Sequence, residues 1–327
     1  MEMENLDIKS LTLEEMTEEL KALGQPTFRA KQVFEWLHSK LVTSYDEMTN
    51  LPTGLRETLK EKYPINVLEE VNSLHSAKDE TIKYLFRLMD NRVIESVLMK
   101  YHYGNSVCIS SQVGCRMGCK FCASTIGGKE RDLLPSEMLE QVYRIQTLSG
   151  QRVSHLVVMG TGEPFDNYGN LMRFLRLLTD SNGLNLSARN ITVSTCGIPD
   201  RIRAFAEEGM PITLALSLHA PNNEVRKQLM PVATQYDLDE VLDAFRYYYD
   251  KTGRRLTFEY SMVEGVNDEE EHAKELARRI KGLNCHVNLI PVNPIKERNF
   301  RQSESRRIQN FKNILEKNRI NVTIRRE

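Results

Sequence analysis

Three cysteines, Cys115, Cys119 and Cys122, stand at the spacing C-x3-C-x2-C, with Phe121 immediately before the third. Three thiolates can hold three irons of a cubane [4Fe–4S] cluster and leave the fourth iron without a protein ligand. An open iron can bind a small molecule and pass it an electron, which is reactivity rather than electron storage. A zinc site asks for four ligands, and thiolate zinc sites usually come as two C-x2-4-C pairs. No second pair exists here: Cys196 and Cys285 are solitary, and His102 and His155 fit no knuckle spacing. A disulfide framework suits small secreted chains, whereas this chain has six cysteines in 327 residues.

A second constellation is M-G-T-G-E-P, residues 159–164. Glu163 offers a carboxylate to an ammonium group, Gly162 lets backbone approach a ligand closely, and Pro164 stiffens the turn. Alone, such a run is only a strand-ending turn; one β/α unit after the cysteine loop, it reads as a ligand site. Further strand ends are polar in the same way: Ser194-Thr195, Ser217-Leu218-His219 and Asn293. Any single Ser or Asn there caps a helix or makes a turn, and His219 alone would be a structural histidine. Their shared place on one rim favours function. Taken alone, Cys108, Cys196 and Cys285 read as small buried apolar residues, and Glu95, in VIESVLMK, as a solvent-facing strand residue.

These residues need elements to position them. Residues 1–62 read as helices, with a periodic stretch at 11–23 and another at 28–41 that places Phe28, Val33, Phe34, Trp36, Leu37 and Leu41 mostly on one face. Strands follow at 65–71, 81–88 and 92–101, with Asp90-Asn91 as a hairpin turn. From Val107 the pattern becomes strand-then-helix. Strands are expected at 107–110, 155–159, 191–194, 212–217, 256–262 and 286–290, and helices at 137–148, 169–179, 199–208, 238–251 and 269–281. A helix at 304–317 and a strand at 321–325 finish the chain. Such alternation implies an α/β fold with a mainly parallel sheet, and six units make a partial (β/α)6 barrel. Functional residues should then sit at the C-terminal ends of its strands. Expected domain limits are 1–62 (helical), 63–104 (a β extension) and 105–327 (the barrel).

Hydrophobic residues make up 40% and charged residues 27% of the chain, as in an ordinary globular protein. The acidic opening MEMENLDIKSLTLEEM has no apolar core of signal-peptide length, and no apolar run approaches a membrane span. A cytoplasmic protein is expected, where thiols stay reduced. Net charge is −1, but residues 296–326 hold ten Lys/Arg against three Glu. That local basic excess suits either a solvated helix face or an RNA footprint.

The ordered runs CISSQVGCRMGCKFC, MGTGEP, STCGI, ALSLHAPN, LMP, EYSMVEGVND and CHVNLIPVNP resemble the RlmN/Cfr family of radical S-adenosylmethionine (SAM) RNA methyltransferases, and its RlmN branch more than its Cfr branch. The likeness spans about residues 20–327. It implies a radical-SAM barrel that methylates C2 of an adenosine in 23S rRNA, and of a tRNA adenosine. It also implies two cofactors, a [4Fe–4S] cluster and SAM, an electron donor such as flavodoxin, and a monomer. One SAM methylates a C-terminal cysteine; a second, reduced at the cluster, yields the radical that activates this methyl for addition to C2. By the same resemblance Cys115, Cys119 and Cys122 are the cluster ligands. Gly162, Glu163, Ser194, Ser217, Leu218, His219 and Asn293 contact SAM. Cys108 becomes the cysteine that resolves the protein–RNA adduct, and Glu95 the proton acceptor. The helical N-terminal domain helps to grip RNA.

The family's chain runs on past R-R-E to a tail near D-I-D-A-A-C-G-Q-L that carries the methylated cysteine, whereas this sequence stops at Glu327 with no cysteine after Cys285. Were that tail truly missing from the protein, cluster and SAM binding without RNA methylation would be expected; with it, the expectation is the methyltransferase. Two alternatives stand beside the methyltransferase: a catalytically silent SAM- and RNA-binding form, and a radical-SAM enzyme acting on another substrate.

Overall fold

Thr12 opens the first helix with a capping box: its hydroxyl accepts the Glu15 N–H at 3.2 Å, and Glu15 accepts the Thr12 N–H at 2.9 Å. The computed structural model describes residues 7–325, so residues 1–6 of the acidic opening and Arg326 of the basic stretch lie outside the described residues. Contacts divide the chain into two units. One comprises the residues up to Val113 with Asp132–Thr161 and Asn167–Asn190; the other comprises Gly114–Arg131, Gly162–Asp166 and everything from Ile191.

The first unit begins with α1 (Leu13–Ala22), α2 (Phe28–His38) and α3 (Thr53–Lys62). In α2 the side chains of Val33, Phe34 and Leu37 are buried at helical spacing, as the periodicity requires. Phe28 departs from the expected core face. It is 55% exposed in the first helical turn, where Arg29 lies over its ring 4.9 Å from the centroid. The antiparallel strands β1 (Glu69–His75), β2 (Ile82–Arg87), β3 (Val93–Tyr101) and β4 (Gly104–Ile109) follow. The first strand lies four residues later than its apolar pattern implies. Leu68 is drawn off by the Glu140 carboxylate, which accepts its N–H at 3.3 Å, and the ladder to Arg87 begins only at Glu69. The turn between β2 and β3 is as expected, with Asn91 in the left-handed conformation that Asn tolerates (φ 66°).

Two short strands, β5 (Gln112–Gly114) and β6 (Lys129–Asp132), bracket the cysteine loop. The first unit then resumes with α4 (Pro135–Ser149), β7 (Val153–Val158) and α5 (Tyr168–Thr179), and β7 lies parallel to β4. The second unit alternates β8 (Ile191–Thr195), α6 (Pro199–Glu207), β9 (Thr213–Ser217), α7 (Asn223–Leu229), α8 (Leu238–Thr252), β10 (Leu256–Met262), α9 (Glu270–Arg279), β11 (Cys285–Pro291), α10 (Ser305–Lys317) and β12 (Asn321–Ile324). Its five strands pair in parallel in chain order. The fold is thus α/β with the expected parallel β/α alternation. Strand side chains point alternately to opposite faces. One face of this sheet is apolar, with Val193, Leu214, Leu216, Phe258, Val287 and Leu289 all buried. The other carries Ser194, Ser217, Glu259 and Asn288. The short helix α7 has no counterpart in the sequence reading. Seven residues are too few for periodicity, and it exists because the Asn222 side chain accepts the Val225 N–H at 2.9 Å.

Lys9 and Glu140 form a buried ion pair in the first unit, with side chains 1% and 3% exposed. The Asn66 carbonyl accepts a second bond from Lys9 at 3.3 Å. Removing one partner of such a pair strands the other charge out of water. Lys9→Ala should therefore cost about 3–5 kcal/mol, read as a large fall in the urea midpoint.

Candidate functional site

The cysteine loop is held from several directions within the second unit. The Gly128 carbonyl accepts the Cys115 N–H at 2.9 Å. A Cβ at Gly114 would stand 1.9 Å from that same carbonyl oxygen, and Gly114 has φ +72°, so this turn is open to glycine alone. The Thr125 hydroxyl bonds to the carbonyls of Cys119 and Cys122, both at 3.0 Å. Asp166 pairs with Arg116 and with Lys129, the latter at 3.0 Å. The Lys120 N–H bonds to the Leu229 carbonyl at 2.8 Å, which ties the loop to the end of α7.

Burial pushes the Cys115 thiol up to about 11, and the charges of Glu163 and Cys122 add to this. Cys119 is raised further by burial and then by the charges of Cys122 and Cys115. Thiolates at Cys115 and Cys119 are disfavoured by low dielectric and by their neighbours, so a cationic partner is needed to hold them ionised. Among the described residues no three His, Cys, Asp or Glu side chains converge as ligands of one metal ion. A cubane asks for no such convergence, since each thiolate takes a separate iron. The donor set thus fits a cluster. A second observation agrees: Arg226, fully buried, leaves its Nη1 without a partner, and its Nη2 bonds to the carbonyl of Cys196, part of the buried cluster against which Cys119 packs.

Glu163 is buried in the same unit. Its Oε2 accepts the Cys196 N–H at 2.7 Å, and its Oε1 accepts the Phe165 N–H at 3.0 Å. Burial raises its carboxyl above the usual range, and these hydrogen bonds work against that rise. Gly162, at φ 109°, takes a backbone conformation that a side chain would oppose. At the ends of β8 and β9 the Ser194 and Ser217 hydroxyls lie 3.4 Å apart. Leu218 is buried, and both its N–H and that of His219 bond to the Glu259 carbonyl, at 3.0 and 3.2 Å.

His219 sits at φ 54°, in the left-handed region. Its Nδ1 accepts the Ser261 N–H at 2.9 Å, so the neutral ring carries its proton on Nε2. Phe121, the aromatic residue before the third cysteine, packs edge-on against this ring with centroids 4.6 Å apart. The cysteine loop and the β9 end are therefore in direct contact. Asn293, two residues past β11, is exposed.

Cys108 and Glu95 belong to the first unit. Val97 of β3 pairs with Cys108 of β4, so Glu95, two residues from Val97, shares a sheet face with the half-buried Cys108. Glu95 is exposed with Lys83 Nζ at 3.4 Å, and its carbonyl accepts the Ser110 hydroxyl at 2.8 Å. His102 and His155 each pack against Tyr103 in that unit.

Two polar residues of the second unit went unread in the sequence. Glu259 is buried beside Ser217 in register, and Asn288 Nδ2 donates to it at 2.9 Å. The period-2 pattern of LTFEYSM already groups it with Thr257 and Ser261. Arg226 lies in the short run NNEVRKQL, where only the Asn222 cap hints at a helix.

The sequence matches two family models: Radical SAM superfamily over residues 109–277, and Ribosomal RNA large subunit methyltransferase N-terminal domain over residues 6–65. It is 63% identical over 324 residues to the probable dual-specificity RNA methyltransferase RlmN of Lachnoclostridium phytofermentans, covering 99% of this chain and 91% of that protein. The chain belongs to the RlmN family of the radical SAM superfamily. An RlmN relative from Geobacillus thermodenitrificans is 53% identical, over 98% of this chain and 88% of its own length. The crystal structure of a radical SAM methyltransferase from Sphaerobacter thermophilus superposes with TM-score 0.94 at 44% identity, covering 98% of this chain and 95% of that one. Streptococcus suis SuiB bound to S-adenosylmethionine, at 14% identity and TM-score 0.51 over 67% of this chain and 50% of that chain, shares the fold alone. Membership of the superfamily brings a [4Fe–4S] cluster and SAM as the expected cofactors.

Burial, and then the Arg226 charge, depress the His219 pKa from 6.5 to about 3. Between those two values the unfolded state binds a proton that the folded ring refuses, so stability falls as pH drops. From pH 7 to pH 5 the ring costs about 2 kcal/mol. In urea titrations H219Q should gain about that much relative to the unaltered protein over this interval. A pH-independent difference would refute the buried neutral ring.

Proposed function

We propose that the protein is a radical-SAM methyltransferase acting on C2 of adenosine in 23S rRNA and in tRNA. The observation that carries this reading is a three-thiol loop, packed through Phe121 on His219, in a chain of the RlmN family. When bound, the cluster and SAM supply reductive cleavage of a sulfonium C–S bond and hence a carbon radical. Such chemistry suits an aromatic carbon whose C–H is not acidic enough for ordinary methyl transfer. The chain's own residues bind, orient and exclude water.

Cys115, Cys119 and Cys122 hold the cluster. Glu163 receives the SAM ammonium in a site where low dielectric strengthens the pairing, and Gly162 admits backbone contact. Ser194, Ser217 and Asn293 offer hydroxyl and amide groups to the cofactor. His219 can only donate there, from Nε2, because Ser261 occupies Nδ1. Buried Leu218 walls the site. On the β3–β4 face Cys108 resolves the protein–RNA adduct and Glu95 accepts the proton, and their shared sheet face supports the pairing of these roles. The aromatic and basic side chains of α2 and of the residues just after it, with Arg29 over Phe28 and Lys40 over Trp36, suit an RNA grip by the N-terminal helices. A flavodoxin-like electron donor, a monomeric state and a cytoplasmic setting complete the reading. Among the described residues no helix is long and apolar enough to cross a membrane.

The test is methylation by protein expressed from its gene, reconstituted anaerobically with iron and sulfide, and given SAM, reductant and unmodified 23S rRNA. Nucleoside mass spectrometry should find 2-methyladenosine, and C119A should abolish it. A fully loaded cluster that cleaves SAM but leaves this RNA unmodified would sink the substrate assignment. E163Q removes a charge-assisted hydrogen bond worth about 1.5–3 kcal/mol. SAM affinity, read by equilibrium dialysis, should weaken about ten- to a hundredfold.

A further inference from the structure

Arg226 is the largest fully buried side chain in the described structure, at 0% exposure. A guanidinium is always charged, and burying one without a counter-charge costs several kcal/mol. No carboxylate pairs with it among the described residues. Its hydrogen bonds go to main-chain carbonyls: Nη2 to Cys196 at 2.6 Å and to Ser217 at 3.4 Å, and Nε to Leu218 at 3.3 Å. Nη1, with two N–H groups, has no partner. A buried unsatisfied donor on an already costly charge asks for an explanation.

The surroundings supply one. The Arg226 Nη2 is anchored on the Cys196 carbonyl, and the N–H of the same Cys196 is held by the buried Glu163 carboxylate. Arg226 sits on α7 three residues before Leu229, whose carbonyl holds the Lys120 N–H of the cysteine loop. Leu229 and Cys196 belong to one buried cluster, against which Cys119 and Phe121 pack. A cubane ligated by three thiolates is anionic and becomes more so on reduction. A fixed cation nearby therefore favours the reduced form, and N–H donors to its sulfurs act in the same direction.

We propose that Arg226 is a positioning residue for the iron–sulfur cluster, supplying a buried counter-charge and Nη1 donors that raise its reduction potential and so set how readily SAM is cleaved. This rests on the cluster site proposed above. It goes beyond that reading because Arg226 is neither a cluster ligand nor among the proposed SAM contacts.

The experiment is an anaerobic redox titration of the reconstituted protein and of R226Q and R226K, followed by the electron-paramagnetic signal of the reduced cluster. Iron and sulfide content are matched first. Losing the charge should lower the reduced-to-oxidised ratio at fixed potential at least tenfold in R226Q, a downward shift of about 59 mV for one electron. R226K, which keeps the charge, should recover most of it. A purely structural role would leave the potential of every correctly loaded variant unmoved, and that outcome overturns the inference while sparing the cluster site. Should R226Q not fold, hyperfine spectra of the unaltered protein labelled with nitrogen-15 arginine decide. A coupling to the reduced cluster that disappears in R226K upholds the proposal, and its absence refutes it. If the unaltered protein loads iron and sulfide but shows no reducible cubane, the site reading fails and takes the inference with it.

Discussion

Three thiols share one loop of the second unit, Cys115 buried and Cys119 and Cys122 half-buried, and burial opposes the ionisation of Cys115 and Cys119. Low dielectric and mutual repulsion together make thiolates at Cys115 and Cys119 unstable there unless positive charge lies among them. Much of the local structure answers that constraint. Gly114 permits the turn, Asp166 takes up Arg116 and Lys129, and the Thr125 hydroxyl secures two cysteine carbonyls. The loop keeps its shape through these backbone and side-chain bonds.

The same constraint joins the loop to the sheet. Parallel strands end in carbonyls and N–H groups that no further strand residue satisfies, and in this unit buried side chains take them up. The Glu163 carboxylate holds the Cys196 N–H, Arg226 gathers carbonyls after β8 and at the end of β9, and Asn267 bonds to the carbonyls of His219 and Ser261. Polar and charged side chains are thus the means of finishing the strand ends of this sheet. His219 shows the economy of this arrangement. One nitrogen is taken up by the Ser261 N–H, its ring packs on Phe121, and the proton stays on Nε2.

Much of the fold was legible from pattern. Alternating apolar strands and amphipathic helices from β4 onward carry their periods openly, and the expected elements lie within a few residues of those observed. The departures have physical causes. Phe28 is helical and apolar, but in the first turn it is solvent-facing and capped by a neighbouring guanidinium. The first strand starts late because the Glu140 carboxylate, seventy-two residues away in sequence, claims the Leu68 N–H. Helix α7 escaped notice because a seven-residue helix is decided by its cap and by packing, not by period.

By itself the sequence determined the chemistry that is available: three thiols at a spacing suited to three irons, a carboxylate after the next strand, and polar groups at later strand ends. Spacing along the chain suffices for this because ligands within one loop need only local geometry. Only the tertiary structure decided which distant groups modify that chemistry. It brought the buried guanidinium of α7 onto the Cys196 carbonyl, set Phe121 against His219, and put Glu95 on the face of Cys108. Burial and the field of a buried charge depend on what surrounds a residue in space, and no local pattern records that.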